Sequence, residues 1–135
     1  MLSAENVSGK IIAVDFDGTL CNSKFPNCGD VIAETAELIR KCSQNGATII
    51  LWTCRDGDDL QRAVDWCKSE NIPIDYVNQN VPEQIEKFGN DCRKINADYY
   101  IDDKSVNVSE IIANSSAEFS ERKALLKTKL EGLKC

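Results

Sequence analysis

The chain has 135 residues, 42% hydrophobic and 28% charged, with three prolines and seven glycines, a balance that fits one compact domain and argues against general disorder or a multidomain chain. A net charge of −6 argues against a broad nucleic-acid footprint, leaving at most a local contact such as a phosphorylated end. The absence of histidine removes imidazole from every mechanism, so acid/base work near neutral pH falls to carboxylates, Lys, Tyr or Cys, and metal-assisted carboxylate chemistry gains weight.

The apolar run at 10–14, ending at Asp15, reads as a strand buried on both faces. A polar stretch follows. From Asp30 as N-cap, Val31, Ile32, Thr35, Leu38, Ile39 and Cys42 recur at three- and four-residue spacing, predicting an amphipathic helix that stops at Gly46. Residues 48–52 form a second strand. Leu60, Ala63, Val64 and Cys67 mark a second helix ending near Asn71, and 74–77 a third strand. Pro82 opens a short helix that stops at Gly89, and 99–101 is a fourth strand running into Asp102 and Asp103. Residues 105–114 fit strand or helix equally. A final helix, about 115–133, starts from Ser115 or Ser116 with Glu118 completing a capping box, and carries Phe119, Leu126, Leu130 and Leu133 as an apolar stripe.

This alternation predicts an α/β fold: a Rossmann-like, mostly parallel sheet flanked by helices, with residues 1–135 as a single domain and the ligand crevice at the strands' carboxyl ends. Asp15, Thr53 and Asp102 each follow the last apolar residue of a different strand. One parallel sheet therefore brings all three to one edge.

The seven cysteines are scattered singly, without a CxxC pair or a histidine to complete a zinc site, and read as reduced thiols. The first ten residues lack the charged start and apolar run of a signal peptide. No segment approaches the ~18 consecutive apolar residues of a membrane span. The expectation is a cytoplasmic protein without a membrane partner.

The chemistry concentrates in DFDGTL at 15–20. Two carboxylates two positions apart on an extended segment point the same way, so Asp15 can attack a phosphorus while Asp17 reaches the leaving oxygen. Gly18 lets the chain turn sharply. The attacking carboxylate repels an anionic phosphoryl group by about 4 kcal/mol at 4 Å and an effective dielectric near 20, so a divalent cation is needed. Carboxylate ligands with few soft donors suit Mg²⁺, with Asp15 and Asp102 as the best pair and Asp103 beside them.

DFDGTL, the strand end LWT at 51–53 and IDD at 101–103 resemble motifs one, two and four of the haloacid dehalogenase superfamily, over residues ~10–104 of this chain. The resemblance implies a phosphatase with Asp15 as nucleophile, Asp17 as general acid/base and Thr53 as a phosphate hydrogen-bond donor. It also implies Asp102 and Asp103 as magnesium-site acids, with the Asp17 carbonyl as a further metal ligand. For the third motif, a phosphate-neutralising lysine, the candidate is Lys94, eight residues before Asp102, with Arg93 and Lys104 as alternatives. The blocks at 50–55 and 97–103 are similar to small bacterial and phage members of the superfamily with no assigned substrate.

Cap domains in that superfamily are inserted after motif one or between motifs two and three, and neither slot has room here. The expected enzyme is capless, with residues 22–29 as at most a flap. Gly18, Thr53, Arg55 and Lys94 make up the expected phosphate-binding set, although Arg55 also fits a surface ion pair. Asn78 and Asn80 fit either contacts to substrate hydroxyls or turn formation. Cys54, without an imidazole partner, is an unreactive neighbour. The expected substrate is a phosphorylated small molecule or a larger phosphorylated species, and the last helix is a candidate homo-oligomer contact. Two other classes fit parts of the pattern: a phospho-accepting receiver-type module, whose order of acceptor and lysine differs, and an inactive scaffold of the same fold.

Overall fold

The structure, a computed structural model, describes residues 2–113 and 117–132, without the side chains of 117–123. The chain forms two compact units, one ending at Asp103 and one beginning at Lys104, where the sequence reading drew one domain over 1–135.

The first unit is built on a four-stranded sheet of β1 (Ile11–Val14), β2 (Thr48–Leu51), β3 (Tyr76–Val77) and β4 (Tyr99–Ile101). Every pairing is parallel, in the order β3-β2-β1-β4. The helices of this unit are α1 (Ala33–Gln44), α2 (Gly57–Ser69) and α3 (Pro82–Phe88). This is the expected α/β, Rossmann-like arrangement. The chain steps from β1 through β2 to β3 in one direction, and β4 then lands on the far side of β1. Strand order thus reverses between β1 and β4, and in open α/β sheets generally the carboxyl ends at such a reversal are where ligands bind.

Alternate strand residues enter two apolar clusters, one on each sheet face, which explains the continuous hydrophobic runs. Ile12, Val14, Ile49 and Leu51 pack with Ala36, Ile39 and Cys42 of α1 and Ala63 and Cys67 of α2. Ala13 and Ile50 pack with Val81 and Ile95 on the opposite face. Each fully buried Ile or Leu contributes roughly 1.5–3 kcal/mol relative to exposure, which makes the central pair β1–β2 the most strongly held part of the sheet. Two aspartates start the pairings: Asp98 Oδ2 accepts from the Ile11 N–H at 2.7 Å, and Asp75 Oδ2 from the Ile49 N–H at 2.8 Å.

Several boundaries differ from the sequence reading. Helix α1 begins at Ala33, with Ile32 at the N-cap and no side-chain cap, because residues 30–32 are held in extended pairing. The Asn22 N–H donates to the Asp30 carbonyl and the Ile32 N–H to the Leu20 carbonyl, while the Asn22 side chain holds the Asp30 N–H at 2.8 Å. Asp30 is thereby a strut of the flap stem instead of a cap. Strand β3 is only two residues long, shorter than the expected 74–77. Pro82 and the left-handed Gly89 bound α3 as expected.

The second unit contains α4 (Val108–Ala113) and α5 (Ala117–Gly132). Residues 105–114, left open between strand and helix, therefore include a helix. Asn107 caps it, with its Oδ1 accepting from the Ser109 N–H at 2.9 Å. Leu126 and Leu130 are exposed. The expected capping residue, Ser115 or Ser116, the side chains of Glu118 and Phe119, and Leu133 lie outside the described residues. Among the described residues, no helix is long and apolar enough to cross a membrane.

Candidate active site

The site follows from strand register. Val14 of β1 is level with Ile101 of β4, and the ladder continues one step further, with the Asp15 N–H donating to the Ile101 carbonyl at 2.9 Å. The next residues, Asp15 and Asp102, must then emerge side by side at the reversal point. Carboxylate oxygens of Asp15, Asp102 and Asp103 lie within 4.8 Å of one another. Asp15 is partly buried and the other two are exposed. Burial, with the charges of Asp102 and Asp103 adding to it, raises the Asp15 carboxyl from 3.8 to about 6, against an opposing backbone hydrogen bond from Phe16. Thr19, itself buried, donates to Asp15 Oδ2 over a long 3.4 Å.

Three hard oxygen donors of like charge at this spacing fit a cation such as Mg²⁺, which takes carboxylate ligands and would offset both the burial cost and the added repulsion at Asp15. Gly18 shapes the same corner. It has a φ of +81°, and a Cβ there would run into the Asp103 carboxylate. The glycine therefore supplies both the turn and the room for the Asp103 carboxylate.

Asp17 has a different set of partners. Arg55 grips it as a fork, with Nε donating to Oδ2 and Nη2 to Oδ1, both at 2.8 Å, and Ser23 Oγ adds a third bond to Oδ1 at 2.8 Å. The Arg55 hydrogen bonds, with Ser23 assisting against partial burial, hold the Asp17 carboxyl below the usual carboxylate range. Arg55 is only 4% exposed. Its remaining donors reach the carbonyls of Pro26, Asn27 and Asp59 at 2.9, 3.0 and 3.3 Å, and the guanidinium lies 5.0 Å from the ring centroids of both Phe16 and Phe25. All five N–H groups are thus used inside the protein. This corrects the reading of Arg55 as a phosphate contact or surface ion pair: it is a buried clamp between the motif-one turn and the flap, and it presents no N–H to a phosphate.

The flap spans residues 21–32, with an antiparallel bridge between Lys24 and Asn27 and a cis Phe25–Pro26 peptide. Thr53 lies beyond β2, its Oγ1 accepting from the Arg55 N–H at 3.1 Å and its own N–H donating to Asn78 Oδ1 at 2.8 Å. Asn78 thus shapes the loop after β2. Asn80 is 2% exposed. Its Nδ2 donates to Asp91 Oδ1 at 2.8 Å and its Oδ1 accepts from the Asn96 N–H at 2.7 Å, which makes it a clasp between two loops and no reader of substrate. The Lys94 ammonium sits over the Tyr100 ring at 5.8 Å, and Tyr100 stacks tilted on Trp52. Arg93 is exposed, Lys104 opens the second unit, and Cys54 is an exposed thiol.

Sequence reasoning passed over Ser23 and Thr19 as individual contacts. Thr19 stands four residues after Asp15, on one turn of chain, and could have been found from that spacing. Ser23 carries no such signal, because only the fold of the flap brings it to Asp17.

No protein-family model and no curated protein matches this chain. A solved structure, that of the conserved protein coded by a locus from Bacteroides thetaiotaomicron, superposes with a TM-score of 0.63 at 31% identity, covering 80% of this chain and 93% of that one. With that identity over nearly the whole of the other protein, this chain belongs to the same family as the conserved Bacteroides thetaiotaomicron protein.

Proposed function

We propose that the chain is a Mg²⁺-dependent phosphohydrolase of the haloacid dehalogenase superfamily, acting on a phosphomonoester through an aspartyl-phosphate on Asp15. The observation that carries this reading is the cluster of Asp15, Asp102 and Asp103 at the strand-order reversal, with Asp15 the most enclosed of the three. When bound, Mg²⁺ supplies the positive charge that lets a carboxylate approach a phosphoryl group.

In the first step an Asp15 oxygen attacks phosphorus, the phosphorus–oxygen ester bond breaks, and the leaving oxygen takes a proton from solvent, because Arg55 holds Asp17 as a carboxylate. In the second, water attacks the same phosphorus, its proton passes to Asp17, and the bond to Asp15 breaks to release phosphate. Thr53 is the hydroxyl available to a phosphoryl oxygen, and Lys94 the positive side chain assigned to neutralise it. Between motif one and α1 there is only the flap. An open site of this kind favours substrates that bring their own bulk, or small phosphate esters bound weakly.

The test is rapid mixing with an activated aryl phosphate. Wild-type protein releases phosphate only with Mg²⁺, and Ca²⁺, with its larger and looser shell, inhibits. Asp15→Asn abolishes both phosphoenzyme and turnover. Full turnover in excess EDTA, or a phosphorylated Asp15→Asn protein, would overturn the reading. A screen of phosphorylated metabolites and polynucleotide ends then identifies the substrate.

A further inference from the structure

We propose that Arg55 is the positioning residue for Asp17, and that it couples the setting of that carboxylate to the flap. This rests on the reading of Asp17 as the acid/base group given above.

A buried arginine is expensive to desolvate, and a clamp serving only the fold could satisfy itself with backbone carbonyls. Here the fork is divided. Nε and one Nη2 proton hold both oxygens of Asp17 at 2.8 Å, while the other donors hold Pro26 and Asn27 in the flap and Asp59 in α2. The planar guanidinium lies against the rings of Phe16 and Phe25, so its own orientation is set by packing on motif one and on the flap together. With both oxygens held, the Asp17 carboxylate cannot rotate about its terminal bond. Three donors, counting Ser23 Oγ, occupy three of its roughly four acceptor sites, leaving one for a water molecule. A general base works only when the proton it takes lies within hydrogen-bond reach in a fixed geometry. Lysine in place of Arg55 keeps the charge but presents a single ammonium that cannot hold two oxygens in one plane.

The consequence is specific to one step. Attack by Asp15 on an aryl phosphate needs no protonated leaving group, whereas water attack on the phosphoenzyme needs Asp17 in place. The experiment compares full-length wild type, Arg55→Lys and Ser23→Ala by rapid mixing with an aryl phosphate and Mg²⁺, with thermal melts beside them. Arg55→Lys should give a burst of phenolate stoichiometric with enzyme, then a steady rate reduced about 10- to 100-fold, up to the lower limit of the roughly 100- to 10,000-fold that a general base contributes, since Asp17 is displaced and not removed. Ser23→Ala, on a partly exposed flap position, should show the same pattern at about two- to fivefold, as one of three hydrogen bonds is lost.

A folded Arg55→Lys protein with wild-type steady rate overturns the proposal. So does a loss of rate that falls equally on burst and steady state, which marks a purely structural clamp. If Arg55→Lys does not fold, Ser23→Ala alone decides: a slowed second step upholds the positioning of Asp17, and an unchanged one refutes it. Wild-type protein without Mg²⁺-dependent phosphate release is a different result, and refutes the phosphohydrolase reading itself.

Discussion

The Asp103 carboxylate occupies the space that a Cβ on Gly18 would fill, so the motif-one turn and the end of β4 interlock at the proposed metal site. Gly18→Ala adds a methyl group at a φ of +81°, a region costing roughly 1–2 kcal/mol for a side-chain-bearing residue, and displaces Asp103 as well. The expected outcome is a melting temperature lower by several degrees and Mg²⁺ binding weakened about tenfold or more, by loss of one ligand. Calorimetric titration with Mg²⁺ checks this. Unchanged affinity would show that Asp103 is not a ligand.

Asp15 predicts a defined pH dependence for the proposed metal. Its carboxyl is raised from 3.8 to about 6, chiefly by burial, so the metal-free fold holds this proton more tightly than the unfolded chain does. The contribution of Asp15 to metal-free stability therefore falls as pH rises from about 4 to about 6, and above 6 the folded state carries the full cost of the buried charge. Mg²⁺ competes with the proton, so its affinity at pH 5 should be about tenfold below that at pH 7.5. Thermal melts at both pH values, with and without Mg²⁺, should show the larger metal-induced rise at pH 7.5. Equal rises at both would mean that Asp15 does not take part in binding.

Asn80 makes a prediction independent of the chemistry. Asn80→Ala leaves the Asn96 N–H, held at 2.7 Å, without its acceptor and removes the side-chain bond to Asp91, which keeps only its 3.0 Å bond from the backbone N–H of residue 80. The expected cost is about 1–3 kcal/mol, read as a lower denaturation midpoint with an unchanged slope. Mg²⁺ binding should persist. If the variant loses metal affinity while keeping its stability, Asn80 belongs to the site and not to the scaffold.

The thiols separate by environment. Burial pushes Cys67 up to about 12 and also raises Cys21, Cys28 and Cys42, whereas Cys54 and Cys92 are exposed. Under native conditions at neutral pH an alkylating reagent should modify Cys54 and Cys92 well before Cys42 and Cys67, because only an accessible thiolate reacts. Peptide mapping over a time course resolves the order. Early labelling of Cys67 would mean that α2 opens readily from the sheet.

Much of the fold was legible in the residues. Apolar runs at 10–14 and 48–52, helical spacing from Val31 to Cys42 and the Pro82–Gly89 bracket are local signals, set by side-chain period and backbone freedom. DFDGTL and the paired acids after 99–101 likewise announced a carboxylate site, because a parallel sheet collects strand ends at one edge. Tertiary structure alone decided the rest. Asp30 has the chemistry of an N-cap, but the Asn22 pairing claims it first. Arg55 stands two residues after Thr53 and reads as a phosphate contact, yet a guanidinium goes wherever its five donors are best satisfied, and here the flap carbonyls and Asp17 lie 28 to 38 residues away in sequence. No local pattern encodes that closure, since it depends on how the chain folds back and not on which residues are neighbours.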